Sequence, residues 1–343
     1  MESAMGQQER RMWPEPGAVR PVSSIRRPIL QASGKSNSEP EPICRFCHVF
    51  TGVWGSIPCP VVQMVVLMSW SVAVTVLNNE GLLDAGLRLE STAGVSIQTI
   101  LSFLIVFRTN QSYNRWWEAR VLWGKMLGSC VDLAQQAATW IVDTQLAVRI
   151  TDFAIVYAYT VKQVLRREPL FAVDLDGIIN SEEVDRINKL SDRVKPYYST
   201  EVMRQCTKKG LTEHPQTFGP NAVARGIDIP VSQLSVQYVD MVRVRNTPQP
   251  VCFRVLLHVF TILYLLLLPL ISYDALGYLV IPEVLLTSYL MLSLQIAADH
   301  LENPFGRDEY DHDLDKFVRE IASQCREALY IGEKSELNLT VPP

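Results

Sequence analysis

Apolar residues along this 343-residue chain gather into four blocks separated by polar segments. The first, residues 57–77, is nearly uninterrupted (IPCPVVQMVVLMSWSVAVTVL) and matches the roughly 20 residues that a membrane-spanning helix needs. The second, 95–107, has a shorter apolar part, extended by Thr and Ser at its upper end. The third, 255–273, contains Pro269, which a membrane helix tolerates and which predicts a kink. The fourth, 275–294, carries Pro282 and Glu283 in its first half. Asp274 stands in the short link before it, so the last two blocks predict a helical hairpin. The pattern predicts an all-α integral membrane protein with four transmembrane helices, continuous with a helical soluble domain.

The second block opens the most strongly patterned stretch, 91–124. Read as one helix, Thr99, Phe103 and Phe107 fall at i, i+4, i+8 and share a face, which Asn110 and Asn114 continue. The other faces carry Ile100, Leu101, Leu104 and Ile105. A stripe reading polar, aromatic, aromatic, polar, polar fits a helix that lines a narrow, partly wet passage. It also fits a membrane helix whose Phe residues pack on neighbours, the commoner use of aromatic stripes. Below it lie Arg115, Trp116, Trp117, Glu118 and Trp123, and Trp suits a membrane–water boundary. Arg115 and Glu118, three apart, are placed to pair, and Arg120 to reach a neighbouring helix.

These segments divide the chain into an N-terminal part (1–43), the first two membrane helices (44–124), a soluble helical domain (125–250), the membrane hairpin (251–300), and an acidic segment with a C-terminal tail (301–343). Within the soluble domain, 125–166 is apolar at steps of three or four, and 174–193 and 231–244 give shorter helical patterns. Residues 208–229, rich in Gly, Pro, Thr and Asn, predict a loop. Residues 1–43 predict disorder. Arg10, Arg11, Arg20, Arg26 and Arg27 there are consistent with a targeting peptide, against which Glu2, Glu9 and Glu15 argue.

Basic residues flank the spans asymmetrically. Arg26, Arg27, Lys35 and Arg45 precede the first, while the link 78–91 holds only Arg88 against Glu80, Asp84 and Glu90. Arg108, Arg115, Arg120 and Lys125 follow the second span, and Arg243, Arg245 and Arg254 precede or open the third. Both termini are therefore expected on the cytosolic, stromal or matrix side, and both short links opposite. The membrane, plastid or plasma, is left open.

A hydrophobic share of 48% supports membrane residence, and a net charge of -4 gives no case for nucleic-acid binding. Seven dispersed cysteines do not read as a disulfide framework. Cys44 to His48 spells the C-x-x-C-H pattern of haem attachment, but a single copy without an export signal reads as a juxtamembrane thiol pair, lipidated or inert. No P-loop, GxGxxG after a strand, HExxH or GxSxG occurs, so neither an enzyme nor a cofactor is expected.

Two motifs point to one family. FRTNQSYNRWWEARVLWG, at 107–124, resembles the bestrophin family of anion channels in the form carried by bacteria, plants and algae. ENPFGRDEYDHDLD, at 302–315, resembles the segment after that family's last membrane helix. The resemblance covers roughly residues 47–328 and implies a homo-oligomer of five copies in a lipid bilayer, with the second helices around the axis. Phe103 and Phe107 then form a hydrophobic neck, and Thr99 takes the place of the family's uppermost neck residue, usually larger and apolar. Asn110, Asn114 and Arg108 stand at the pore mouth. The implied permeant ions are chloride and other monovalent anions, with bicarbonate for an algal-type member. A second constriction in the soluble part is implied but not placed.

The acidic segment bears on calcium. Asp311, Asp313 and Asp315 occupy positions 1, 3 and 5 of an EF-hand loop, but Lys316 stands where Gly is needed and Ala322 where Glu is needed. Animal bestrophins bind calcium through an acidic run after Asn-Pro-Phe-Gly. Here Arg307 and Tyr310 interrupt Asp308, Glu309 and Asp311, which counts against a calcium site. Two other functions compete with the channel: a non-conducting membrane scaffold, and a secondary transporter. The transporter is disfavoured because no repeat is visible and only Glu283 and His258 are ionisable within the spans.

Overall fold

The computed structural model describes residues 60–81, 91–213 and 220–335, which are helical and contain no strand. Nine α-helices follow in order: α1 (Pro60–Asn79), α2 (Ser91–Trp140), α3 (Thr144–Arg166), α4 (Ser181–Asn188), α5 (Lys195–Glu213), α6 (Pro220–Asn246), α7 (Val251–Leu276), α8 (Val280–Glu302) and α9 (Leu314–Ser335). The N-terminal segment 1–43 and the Cys44–Cys47 pair lie outside the described residues.

Helix α2 is 50 residues long with no internal proline, about 75 Å of continuous rod. It feeds two apolar cores. Leu101 and Ile105 join Leu67 of α1, Leu257, Tyr264, Leu265 and Leu268 of α7, and Val284, Met291 and Leu292 of α8. Further along, Ala119, Leu122, Trp123, Met126, Cys130 and Leu133 join a larger core with α3, α5, α6 and α9. At its first turn α2 approaches α7 closely: a Cβ on Gly94 would stand 2.6 Å from Cγ2 of Ile271.

The helix predicted over 125–166 breaks in two. α2 ends at Trp140, and Asp143 caps α3 by accepting the Gln145 N–H at 2.9 Å. The stripe seen in sequence is part of a helix buried on nearly all sides: Ile150, Phe153, Ala154, Ile155, Val156 and Tyr157 have no exposed surface. α3 is the central post of the soluble half. The loop predicted over 208–229 is also corrected, since α5 and α6 take most of it. Gly210 serves close packing rather than a turn, because a Cβ there would lie 3.1 Å from Cγ2 of Ile141. Pro230 is accommodated inside α6. The C-terminal tail contains an amphipathic helix, α9, whose Leu314, Val318, Ile321 and Cys325 are buried in the soluble core.

Among the described residues two stretches are long and apolar enough to cross a membrane, Val61–Asn79 and Val251–Glu302. The second doubles back at Gly277, whose φ of 53° suits a residue without a Cβ, and so comprises both α7 and α8. Asp274, predicted in the link, lies inside the last turn of α7. The apolar run of α2 stops at Phe107 and does not reach spanning length by itself.

Helix α9 docks on α3 through a shared carboxylate. Asp315 accepts from Lys162 Nζ at 2.8 Å and from Arg166 Nη1 at 2.7 Å, and both bases are nearly buried. Burial pushes this carboxyl up, but the hydrogen bonds from Lys162 and Arg166 outweigh it and hold it at about 2. A depressed carboxylate stabilises above its unfolded value, and the contribution disappears as pH falls. Docking of α9 is thus predicted to weaken between about pH 4 and pH 2. Asp315→Asn should remove that acid transition. It should cost about 1–3 kcal/mol at neutral pH, below the loss for a fully buried pair because Asp315 is partly exposed. Hydrogen exchange of α9 amides measures both.

Candidate conduction path and its buried supports

The stripe singled out in sequence occupies the outward face of α2. Phe103 is 68% exposed and Phe107 46% exposed, and Thr99, Asn110 and Asn114 are exposed with them. The two rings stack with centroids 6.5 Å apart and planes 22° apart. Thr99 donates its hydroxyl hydrogen to the Val95 carbonyl at 2.8 Å, so it offers its surroundings a methyl group and an oxygen rather than a donor. On the opposite face Leu101, Ile105, Arg108 and Ser112 are buried. Ile100, on the face beside the stripe, is 63% exposed.

Arg108 is the main correction to the predicted site. It does not join Phe107 at a pore mouth. It points into the subunit, retains 1% exposure, and pairs with Asp299 of α8. Five residues along a helix turn a side chain well past the flank of Phe103. Arg115 also turns inward and does not pair with Glu118. It donates to the carbonyls of Val244 at 2.6 Å, Glu302 at 3.3 Å, and Thr247, capping the C-terminal ends of α6 and α8 with one guanidinium. Glu118 instead accepts from Arg243 of α6 at 2.6 Å. Arg120 does reach a neighbour, with its guanidinium 4.6 Å above the Phe317 ring of α9.

The segment after α8 is fastened to α2. Trp116 donates its indole N–H to the Tyr310 carbonyl at 3.0 Å, and His312 stacks on Trp116 with its Nε2 2.9 Å from that residue's carbonyl oxygen. The acidic residues diverge. Asp308 and Glu309 are exposed, whereas Asp311 turns back to accept the Asp308 N–H at 2.7 Å, in space left by the missing Cβ of Gly306. Burial pushes the Asp311 carboxyl up to about 6. Asp313 accepts the Lys316 N–H at 2.9 Å, and Asp315 serves Lys162 and Arg166. Among the described residues no three His, Cys, Asp or Glu side chains converge as a metal site would require.

Sequence reasoning missed the supports on α8. Because α8 runs to Glu302, Asp299 is a further buried ionisable residue in this half of the subunit. Glu302 accepts the Gln249 N–H at 3.0 Å and faces Arg254 at 3.5 Å. Gln295, Asp299 and Glu302 recur at i, i+4, i+7, and that polar periodicity at the end of an apolar helix was the available signal.

The arrangement is that of a membrane-embedded helical subunit with an unpartnered polar–aromatic stripe. The family model for the bacterial and fungal bestrophin protein matches residues 37–327, and the chain belongs to that family. It is 26% identical over 230 residues to the voltage-dependent anion channel-forming protein alr2987 of Nostoc, covering 63% of this chain and 70% of that one. It is 24% identical over 256 residues to the voltage-dependent anion channel-forming protein YneE of Escherichia coli K12, covering 74% and 79%. The crystal structure of a bacterial bestrophin homolog from Klebsiella pneumoniae superposes with a TM-score of 0.71 at 21% identity, over 79% of this chain and 98% of that one.

Removing one member of a buried ion pair strands the other. Arg108→Gln is predicted to cost at most about 3–5 kcal/mol by leaving the half-buried Asp299 without its cation. Arg108→Gln with Asp299→Asn should recover more than half of that loss. Unfolding of the detergent-solubilised protein, run as a double-mutant cycle, checks both values.

Proposed function

We propose that this chain is one subunit of an anion channel in which five copies close a ring, with the N-terminal part of α2 as a fourth membrane crossing that faces the axis. One observation carries the reading: α2 packs one face completely and leaves Thr99, Phe103, Phe107, Asn110 and Asn114 exposed along the other. A helix that lines a conduit needs a ring of copies around it. Phe103 and Phe107, repeated by each subunit, form the neck. Permeant anions pass partly dehydrated against the positive ring edges, and the Asn110 and Asn114 amides supply donors below. Arg108 and Arg115 are spent on internal partners. Exposed Lys125 and the stacked Arg120 remain as the cations along the inner part of α2. The permeant ions are chloride and other small monovalent anions, bicarbonate among them. The distribution of Lys and Arg supports both termini on the cytosolic or stromal side.

The neck is tested by Phe103→Ala with Phe107→Ala. In the ring these changes widen and wet the constriction, so basal chloride flux into liposomes should rise while the oligomer still assembles. Leu101→Ala and Leu104→Ala should not open the path. If the rings are instead packed against neighbours, each truncation should cost roughly 3–5 kcal/mol and assembly should fail. A double variant that assembles and conducts like the parent contradicts the neck. An assembled parent protein with no flux favours the scaffold.

Opening is proposed to be independent of calcium, because Asp311 and Asp313 are turned to their own backbone and Asp315 to two bases. Flux should persist in a strong chelator. A requirement for micromolar calcium that Asp308→Ala or Asp311→Ala abolishes would overturn this.

A further inference from the structure

Above Asp299 and Glu302, the polar face of α8 carries a third rung that contains no carboxylate. His258 of α7 lies between two amides: its Nδ1 is 3.1 Å from Gln295 Oε1, and its Nε2 is 3.4 Å from Gln63 Nε2 of α1. The direction of each hydrogen bond follows from Thr261. Its hydroxyl hydrogen goes to the Leu257 carbonyl at 2.8 Å, so Gln295 Nε2 donates to the Thr261 oxygen. Gln295 Oε1 is then an acceptor, and His258 carries its hydrogen on Nδ1. Nε2 is left with a lone pair, which accepts from the Gln63 amide. These contacts are matched, donor to acceptor, only while the imidazole is neutral.

A second proton on Nε2 sets N–H against NH₂. Gln63 must then turn its amide over or move away. The charged groups in the rungs are balanced without it. Arg254, on His258's own helix, faces Glu302, Arg108 of α2 holds Asp299 of α8, and α1 presents an amide. An imidazolium adds one uncompensated charge in a region where charge is costly. The next carboxylate along α8 is Asp299, one turn from Gln295 and already the partner of the helix that bears Phe103 and Phe107. Imidazole is the side chain that gains charge near neutral pH.

We propose that His258 is a proton-responsive positioning residue. Its protonation forces the Gln63 amide to turn over or withdraw, competes for Asp299, and so changes how firmly α2 is held behind the neck. The flux part of this inference rests on the anion-channel reading above, and the stability part does not.

The full-length protein is reconstituted in liposomes, and chloride flux is compared at about pH 7.5 and about pH 5.5. Wild type is expected to change by roughly fivefold or more, the usual lower range of coupling between sites. His258→Gln should lose that change. Gln63→Glu supplies an acceptor for the imidazolium and should move the midpoint of the flux change to higher pH. Asp311 and His312 remain in His258→Gln, so a response arising at the loop after α8 persists there. Thermal unfolding of the detergent-solubilised assembly at the same two pH values is the second readout. On acidification wild type should lose more stability than His258→Gln. A pH response of flux and stability that is unchanged in His258→Gln, or a midpoint that Gln63→Glu leaves in place, overturns the proposal. If no form conducts while acid destabilisation still tracks His258, the site stands and the channel reading falls.

Discussion

The Arg108–Asp299 pair is the contact on which the rest of the subunit turns. Helix α2 belongs to two apolar cores, one in the membrane half and one in the soluble half, and neither alone dictates how the helix is rolled where they meet. A buried guanidinium with a single carboxylate partner does dictate it, because any other roll leaves both charges desolvated and unpaired, at a cost of several kcal/mol. Arg108 follows Phe107 directly, so pinning Arg108 inward turns the Phe103–Phe107 stripe outward. Arg115, seven residues on, repeats the device with backbone carbonyls and ties the same helix to the ends of α6 and α8.

Exposure alone does not mark a conduit, since α1 and α7 also expose Val61, Val65, Leu256 and Val259, and lipid covers such residues without cost. The α2 stripe differs in composition. It continues its two rings with Asn110 and Asn114, whose amides find no partner in hydrocarbon. In the proposed ring, other copies of the chain and water cover those groups. The arginines are divided accordingly: those that the basic cluster places behind the neck are consumed internally, and anion preference in the proposed ring falls to ring edges and amide donors.

Much of this was legible in the sequence. The apolar blocks and the Phe stripe are local patterns with a fixed period, and the structure places their described residues on helices; the first family motif lies on α2, and the second forms the link between α8 and α9. The failures share a cause. Gly and Pro were taken as turn signals over 208–229, where Gly210 serves a close approach to Ile141 and Pro220 opens a helix. Arg108 was placed at a pore mouth and Arg115 beside Glu118 because their partners, Asp299 and the carbonyls of Val244, Thr247 and Glu302, are more than a hundred residues away. α9 was read as tail because its apolar stripe has meaning only against α2 and α3. Pairing partners are tertiary information, whereas periodicity is local.

The central claim is that the Phe103 face of α2 looks inward at other copies rather than out at lipid. A single cysteine at position 103, in an otherwise cysteine-free chain, tests it through cross-linking by a short bismaleimide in native membranes. A cysteine at position 65, on the apolar face of α1, is the reference. The ring predicts ready cross-linking between copies at 103 and little at 65. Equal, low cross-linking at both positions, with the assembly intact, would contradict it.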